Sequence, residues 1–349
     1  MNRRALAAAV LILLLPATAL FSFFTSPTVG VSNQGPLFSK HYANYTLDLH
    51  APLEAGYAFI IRDYEVTSAK QLFFDKIGIE GFRATGEMDE SETVATYEDA
   101  ALSLRIHNTP TAALELEMKR AGGVYIALAG GIGAIESGSG FILGSGGTSG
   151  VLVMVGNGTF THVSDLILVE MSVGSKLVFR HTPEGAAYVS ESVAAGRILA
   201  EMFISFTDHR LVESSVVFGE TGVETVRTTN DTLSVSLAGW GGVLVLNVDR
   251  GLIPALDTRA ALVSVDGQSA ERADSAAELL WSEGTVPKYY IASDGEWLQV
   301  LVYIPPSAAH PSLVTIMEKG EEIISLDTVL SAVAAILVVG VAAAALYRR

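Results

Sequence analysis

Residues 102–119 read LSLRIHNTPTAALELEMK, and the period of their apolar positions decides the fold. Leu102, Leu104 and Ile106 alternate with Ser103, Arg105 and His107. After a turn-like break at Asn108-Thr109-Pro110-Thr111, Leu114, Leu116 and Met118 alternate with Glu115, Glu117 and Lys119. A period of two belongs to a strand, because successive side chains leave a pleated backbone on opposite faces. The pair therefore predicts a β-hairpin with one apolar face and one wet face. The same alternation recurs outward from it in Tyr45, Leu47 and Leu49, in Val169, Met171 and Val173, in Leu177 and Phe179, and in Leu233, Val235 and Leu237.

Helical signals are few. Ser275-Ala276-Ala277-Glu278 has the form of a capping box ahead of Leu279-Leu280-Trp281, so one short helix is predicted near 274–282. Residues 190–206 fit both periods, and Gly196 tips the reading to strand. Pro183-Glu184-Gly185 breaks the pattern and places a boundary near Thr182 to Glu191. The expected fold class is mostly β: an antiparallel β-sandwich or stacked-sheet ectodomain, with a Gly-rich β domain over 31–185 and a second, Ig-like β domain over 190–320.

Between Gly122 and Gly158 stand 13 glycines in 37 residues. The stretch has three readings. A phosphate-cradling loop fails on spacing, since neither GxGxxG nor GxxxxGK occurs. A membrane-active apolar segment is interrupted by Glu136 and lacks a helical period. Gly-rich strands in a tightly stacked sheet or solenoid are preferred.

The two ends are apolar and flanked by arginine. Arg3 and Arg4 precede an uncharged run from Ala5 to Phe24, which reads as a signal peptide or signal anchor over 1–26. Ala17-Thr18-Ala19 fits a cleavage site, while the run beyond it is long enough to span a bilayer uncleaved. Val329 to Leu346 is an 18-residue apolar run closed by Tyr347, Arg348 and Arg349, and a transmembrane helix is expected over 328–347. The positive-inside rule puts both arginine pairs in the cytoplasm and the bulk of the chain outside the cell membrane.

Composition bears on what that ectodomain meets. The chain carries a net charge of −16; residues 31–325 hold 18 basic and 37 acidic side chains, hence −19. Such a field repels nucleic acid and anionic lipid headgroups. Lysine is scarce, seven against 15 arginines, which suits either a saline habitat or an Arg-rich codon bias. Cysteine is absent, so no disulfide, thiolate nucleophile or Cys-based zinc site exists, and a prokaryotic source is favoured. Asn44, Asn157 and Asn230 head Asn-x-Thr sequons and are candidate glycosylation sites.

Motifs for chemistry are sparse. The seven histidines include no pair at i, i+4 and no HExxH; Asp208-His209 is the single His beside an acid and reads as a polar turn. Gly138-Ser139-Gly140 and Gly144-Ser145-Gly146 do not complete a Gly-x-Ser-x-Gly elbow. Asp89-Glu90-Ser91-Glu92 and Glu318 to Glu322 follow no calcium-loop pattern. No catalytic, cofactor or metal residues are assigned, and no enzymatic activity is expected.

One resemblance rests on the C-terminal third. Val265-Asp266-Gly267 forms a turn, the short acidic helix follows, and Val300 to Pro305 reads VLVYIP ahead of the apolar run. This resembles the C-terminal modules of membrane-anchored archaeal cell-surface proteins over some 80 residues, departing at Pro305 to His310. The resemblance implies a surface address and no known reaction. The function expected is that of a membrane-anchored structural or interaction protein of the cell envelope, its partners being the bilayer and other envelope or surface-layer proteins. A tethered hydrolase whose site forms only in three dimensions, and a membrane-remodelling protein using 122–158, are the alternatives.

Overall fold

The computed structural model describes residues 43–318, apart from 68, 92, 110, 185, 208–209, 220, 230–231, 239–240, 254–260, 294–295 and 307–311. The apolar segments expected over 1–26 and 328–347, with their four flanking arginines, lie outside the described residues. Among those described, no helix is long and apolar enough to cross a membrane.

Fifteen strands precede residue 183: β1 Ala43–Leu47, β2 Leu53–Glu54, β3 Tyr57–Val66, β4 Gln71–Glu80, β5 Met88–Glu90, β6 Val94–Glu98, β7 Leu102–Asn108, β8 Ala112–Met118, β9 Gly122–Leu128, β10 Gly133–Ser137, β11 Gly140–Ser145, β12 Thr148–Val155, β13 Gly158–Val163, β14 Leu166–Met171 and β15 Lys176–Thr182. They form two sheets. Sheet I has the order β1-β3-β4-β9-β14-β13, with β2 also on β3, and sheet II the order β10-β11-β12-β15-β8-β7-β6-β5.

Helix α1, Ala187–Ala194, leads to eleven further strands: β16 Ile198–Thr207, β17 Arg210–Val217, β18 Gly222–Thr228, β19 Thr232–Ala238, β20 Gly242–Asp249, β21 Ala261–Val265, β22 Gln268–Ser269, β23 Glu271–Arg272, β24 Lys288–Ser293, β25 Trp297–Ile304 and β26 Ser312–Glu318. Helix α2, Ala276–Leu280, falls between β23 and β24. Sheet III runs β17-β16-β20-β25-β24-β23 and sheet IV runs β18-β19-β26-β21-β22. Pairing is antiparallel except at β16/β20 and β23/β24.

Three cores stack these sheets as four layers. Between I and II, Tyr64, Phe73 and Phe74 meet Phe179, with Phe74 and Phe179 edge-to-face at 4.8 Å. Between III and IV, Leu244, Leu246 and Val300 meet Val235, Val263 and Ile316. Between II and III, Val151, Val153 and Val178 join Val243, Val245 and Leu301, with α1 and α2 contributing Val189, Val193 and Leu279. Sheets II and III are thus covered on both faces, which is why β12, β20 and β25 read as near-continuous apolar runs instead of alternating ones.

The expected hairpin is present as β7/β8, in register Leu104↔Leu116 and Ile106↔Leu114. Its second face is wet only in part: Arg105 is exposed and Glu117 half-buried. His107 and Glu115 are buried because sheet III lies over them. The reading of 190–206 as strand is corrected for its first half: residues 187–194 are helical, so the described residues hold two α-helices where one was expected in the β body. Gly196 ends α1 with φ +67°, a left-handed conformation that glycine adopts without a Cβ penalty. Its N–H donates to Val193 O, and the Arg197 N–H to Ser192 O. Helix α2 matches its sequence signal: Ser275 Oγ accepts from the Glu278 N–H, and Glu278 Oε2 accepts from the Asp274 N–H.

The Gly-rich stretch is structural and forms sandwich strands, not a solenoid. Val124, Ile126 and Leu128 are buried in the first core. Gly140 lies so near β12 that a Cβ there would stand 1.9 Å from Leu152 O.

Candidate functional site

The concentration of chemistry lies in the seam between sheets II and III. Period-two alternation on β8, β15, β16, β20 and β25 sends Glu115, Arg180, Glu201, Asn247 and Gln299 into this layer, and all five are buried. A charge in such a place requires a partner, since desolvation opposes the ionised form. Arg180 and Glu201 supply that to each other across the seam: Arg180 Nε and Nη2 donate to the two Glu201 oxygens at 2.6 and 3.1 Å. The bidentate fork is the strong form of the Arg–carboxylate pair.

The remaining polar capacity is taken up locally. Glu201 Oε1 also accepts from Thr111 Oγ1 at 3.1 Å and from Asn247 Nδ2 at 2.9 Å. Gln299 Nε2 donates to Asn247 Oδ1 at 2.8 Å. Arg180 Nη1 donates to His181 O at 2.9 Å, and Thr182 Oγ1 lies 2.6 Å from Ser190 Oγ on α1. The network therefore ties the β7/β8 turn, β15 and α1 to β16, β20 and β25.

A second cluster joins the sheets nearby. His107 Nδ1 lies 2.8 Å from Ser214 Oγ on β17, and His107 Nε2 lies 3.4 Å from Glu115 Oε2. Glu115 Oε1 accepts from the Val217 N–H at 3.1 Å. Burial alone would raise the Glu115 carboxyl; its bond to and the charge of His107, the Val217 N–H and Arg105 outweigh that and hold it below the ordinary value. In the tautomer whose ring proton is on Nε2, toward Glu115, Nδ1 is the acceptor for the serine hydroxyl. That is the connectivity of a nucleophile, its base and an orienting acid. Ser214 is 6% exposed and His107 1%, so the hydroxyl has no open approach in this conformation.

Sequence motifs pointed to none of these residues as a group, because the partners are far apart in the chain: 107 residues separate His107 from Ser214. A signal was present nonetheless. Glu201 interrupts the apolar run of ILAEMF, and Arg180 directly follows the apolar run LVF of β15. The candidate glycosylation sites are not brought together. Asn44 is exposed on β1, Asn157 is exposed in the turn before β13, and Asn230 lies outside the described residues, as does Asp208-His209. Asp89 and Glu90 stand on the exposed strand β5. Among the described residues no group of three His, Cys, Asp or Glu is placed to hold a metal ion. A surface hollow of about 590 Å³, lined by Glu136, Gly140, Phe141, Met154 and Phe160, opens at the β10/β11 end of sheet II.

No family model matches the sequence, and no curated protein matches it. Among solved structures, a glycoside hydrolase of family 81 from Clostridium thermocellum is matched at 10% identity over 83% of this chain, with a TM-score of 0.23. The chain spans 41% of that structure's length. A likeness of that size supports no argument about fold or activity. The expectation that the chain is no enzyme is corrected on the geometry: the seam joins Ser214, His107 and Glu115, a connectivity on which enzyme chemistry can rest. No activity is excluded.

Proposed function

We propose that this is a membrane-tethered cell-surface protein whose four-layer β body stands outside the cell and binds another component of the envelope. One observation carries the reading: the β body ends at Glu318, and the 18-residue apolar run with its terminal arginines begins at Val329. Residues 319–328 span at most about 35 Å when extended, which holds sheet IV close to the bilayer. The Arg3–Arg4 pair and the resemblance of the C-terminal third to archaeal surface proteins support the same address. The remodelling alternative loses its premise, since Val124, Ile126 and Leu128 are buried in the first core.

The test is topological. Protease added to intact cells should digest the body and spare a tag placed after Arg349. Replacing Val338 and Val339 by arginine puts two charges at mid-membrane, each costing about 2.5–3.5 kcal/mol on the insertion scale. That variant should appear in the medium if the N-terminal segment is cleaved, and stay membrane-bound through that segment if it is not. A body protected from protease in intact cells overturns the proposal.

A second reading, a tethered hydrolase, is favoured by the Ser214–His107–Glu115 connectivity alone. It requires the seam to open. A fluorophosphonate probe should then label the native chain and leave Ser214→Ala unlabelled; equal labelling of both, or of neither, removes this reading.

A further inference from the structure

Among the described residues each of the four sheets has two edges, and an unpaired strand there offers free N–H and C=O groups to any passing strand. Six of the eight edges are defended in ordinary ways. Strand β10 carries Glu136, β5 Asp89 and Glu90, β17 Glu213, β23 Arg272 and β18 Glu224, while β22 is only two residues long. The two edges of sheet I differ. Strand β1 reads ANYTL and β13 reads GTFTHV, with no charge and no proline in either. On β13, Val163 is 61% exposed, and Thr159, Thr161 and His162 also face solvent.

These two edges are where the described sequons stand. Asn44 and Thr46 project together from the outer face of β1. Asn157 and Thr159 are exposed where the chain enters β13, with the Asn157 backbone pinned by Ser175: its N–H donates to Ser175 Oγ at 3.0 Å, and Ser175 Oγ donates to its carbonyl at 2.8 Å.

We propose that Asn44 and Asn157 carry N-linked glycans that guard the two uncharged edges of sheet I, in the role that charged side chains fill on the other sheets. The inference rests on the exported topology proposed above. The donor class is an oligosaccharide linked through C1 to a lipid phosphate. The asparagine Nδ2 forms the new bond to C1, the C1–O bond breaks, its electron pair leaves on the lipid phosphate, and the amide gives up one proton to that phosphate. A bulky hydrophilic group at each edge then excludes an incoming strand sterically, without adding to a body already at −19.

The test uses the full chain purified from its own membranes in a nonionic detergent. Peptide mass spectrometry should find a glycan at Asn44 and at Asn157. Asn44→Gln and Asn157→Gln should each lose one glycan mass. Thr46→Ala and Thr159→Ala should do the same while keeping the asparagine. The Asn44→Gln/Asn157→Gln double variant should keep its melting temperature yet sediment as dimers and larger species as concentration rises. Adding Thr161→Lys should lessen that association, because a charge restores the guard on β13. Unmodified peptides at both sites in a chain that protease reaches from outside overturn this inference alone; a chain protected from protease overturns the exported reading with it. Glycosylated wild type with a double variant that stays a single species also overturns the guarding role.

Discussion

At the scale of single residues, the Arg180–Glu201 pair sets the largest expected effects. Both side chains are almost fully buried, so removing one leaves the other charged and unpaired in the seam. Glu201→Ala should destabilise by about 3–5 kcal/mol. The pair's net value against an apolar filling is far smaller, since two desolvation costs oppose its Coulomb attraction. Arg180→Met combined with Glu201→Leu should therefore recover most of the loss, with Thr111 and Asn247 the residues left to adjust. Denaturant melts of the four forms check this; a double variant as unstable as Glu201→Ala would show that the polar network itself is required. Glu115 gives a pH signature. Its folded value lies below the ordinary 4.5, so its stabilising contribution is complete above that pH and is lost as pH falls through the folded value. The melting-temperature gap between the native chain and Glu115→Gln should be widest near neutrality and close as pH drops below about 4.5. A gap that is constant with pH would mean that Glu115 acts through shape and not through charge.

At the scale of elements, legibility followed how local the signal was. The β7/β8 hairpin and α2 were readable because each is specified by its own residues, through period-two alternation in one and the Ser275–Glu278 box in the other. Helix α1 was not: its N-cap Ala186 makes no side-chain cap, and the helix has neither an acid in its first turn nor a base in its last. Packing fixes it, since Val189 and Val193 enter the II/III core. The His107/Glu115 end of the hairpin's polar face, buried where a wet face was expected, escaped the sequence for a related reason. Alternation reports that two faces differ, and His107 and Glu115 look alike whether water or sheet III covers them. The Gly-rich stretch, by contrast, revealed its character through what it excludes. Gly140→Ala should cost about 3 kcal/mol, at the upper end for overpacking, because the obstacle is the Leu152 carbonyl and not a movable side chain. At Gly133 a Cβ would meet only Gly144 O at 3.7 Å, an ordinary contact, so Gly133→Ala should be near neutral. Thermal melts of the two variants decide it, and equal losses would refute the close approach of β11 to β12.

At the scale of the whole molecule, the charge is placed as well as counted. Among the described residues only Glu115 and Glu201 are buried carboxylates, so the other described acids lie at or near the surface, where water and salt screen them. A body of that kind repels itself in dilute buffer. The screening length is about 30 Å at 0.01 M and about 3 Å at 1 M, so carboxylates that act on one another across a sheet at low salt become independent at high salt. Self-repulsion of this size works against the compact state, and strongly hydrated salts also strengthen burial of the apolar faces. Both effects point the same way, and the buried Arg180–Glu201 pair, being shielded from ions, does not oppose them. The purified chain in a nonionic detergent should therefore melt at rising temperature as KCl goes from millimolar to molar. Replacing ten exposed acids of the β body by Asn or Gln should flatten that rise, while the Arg180→Met/Glu201→Leu pair should leave its slope unchanged. A melting temperature indifferent to salt in the native chain would make the acidic bias a matter of composition, and would remove the reason to place this protein in a saline environment.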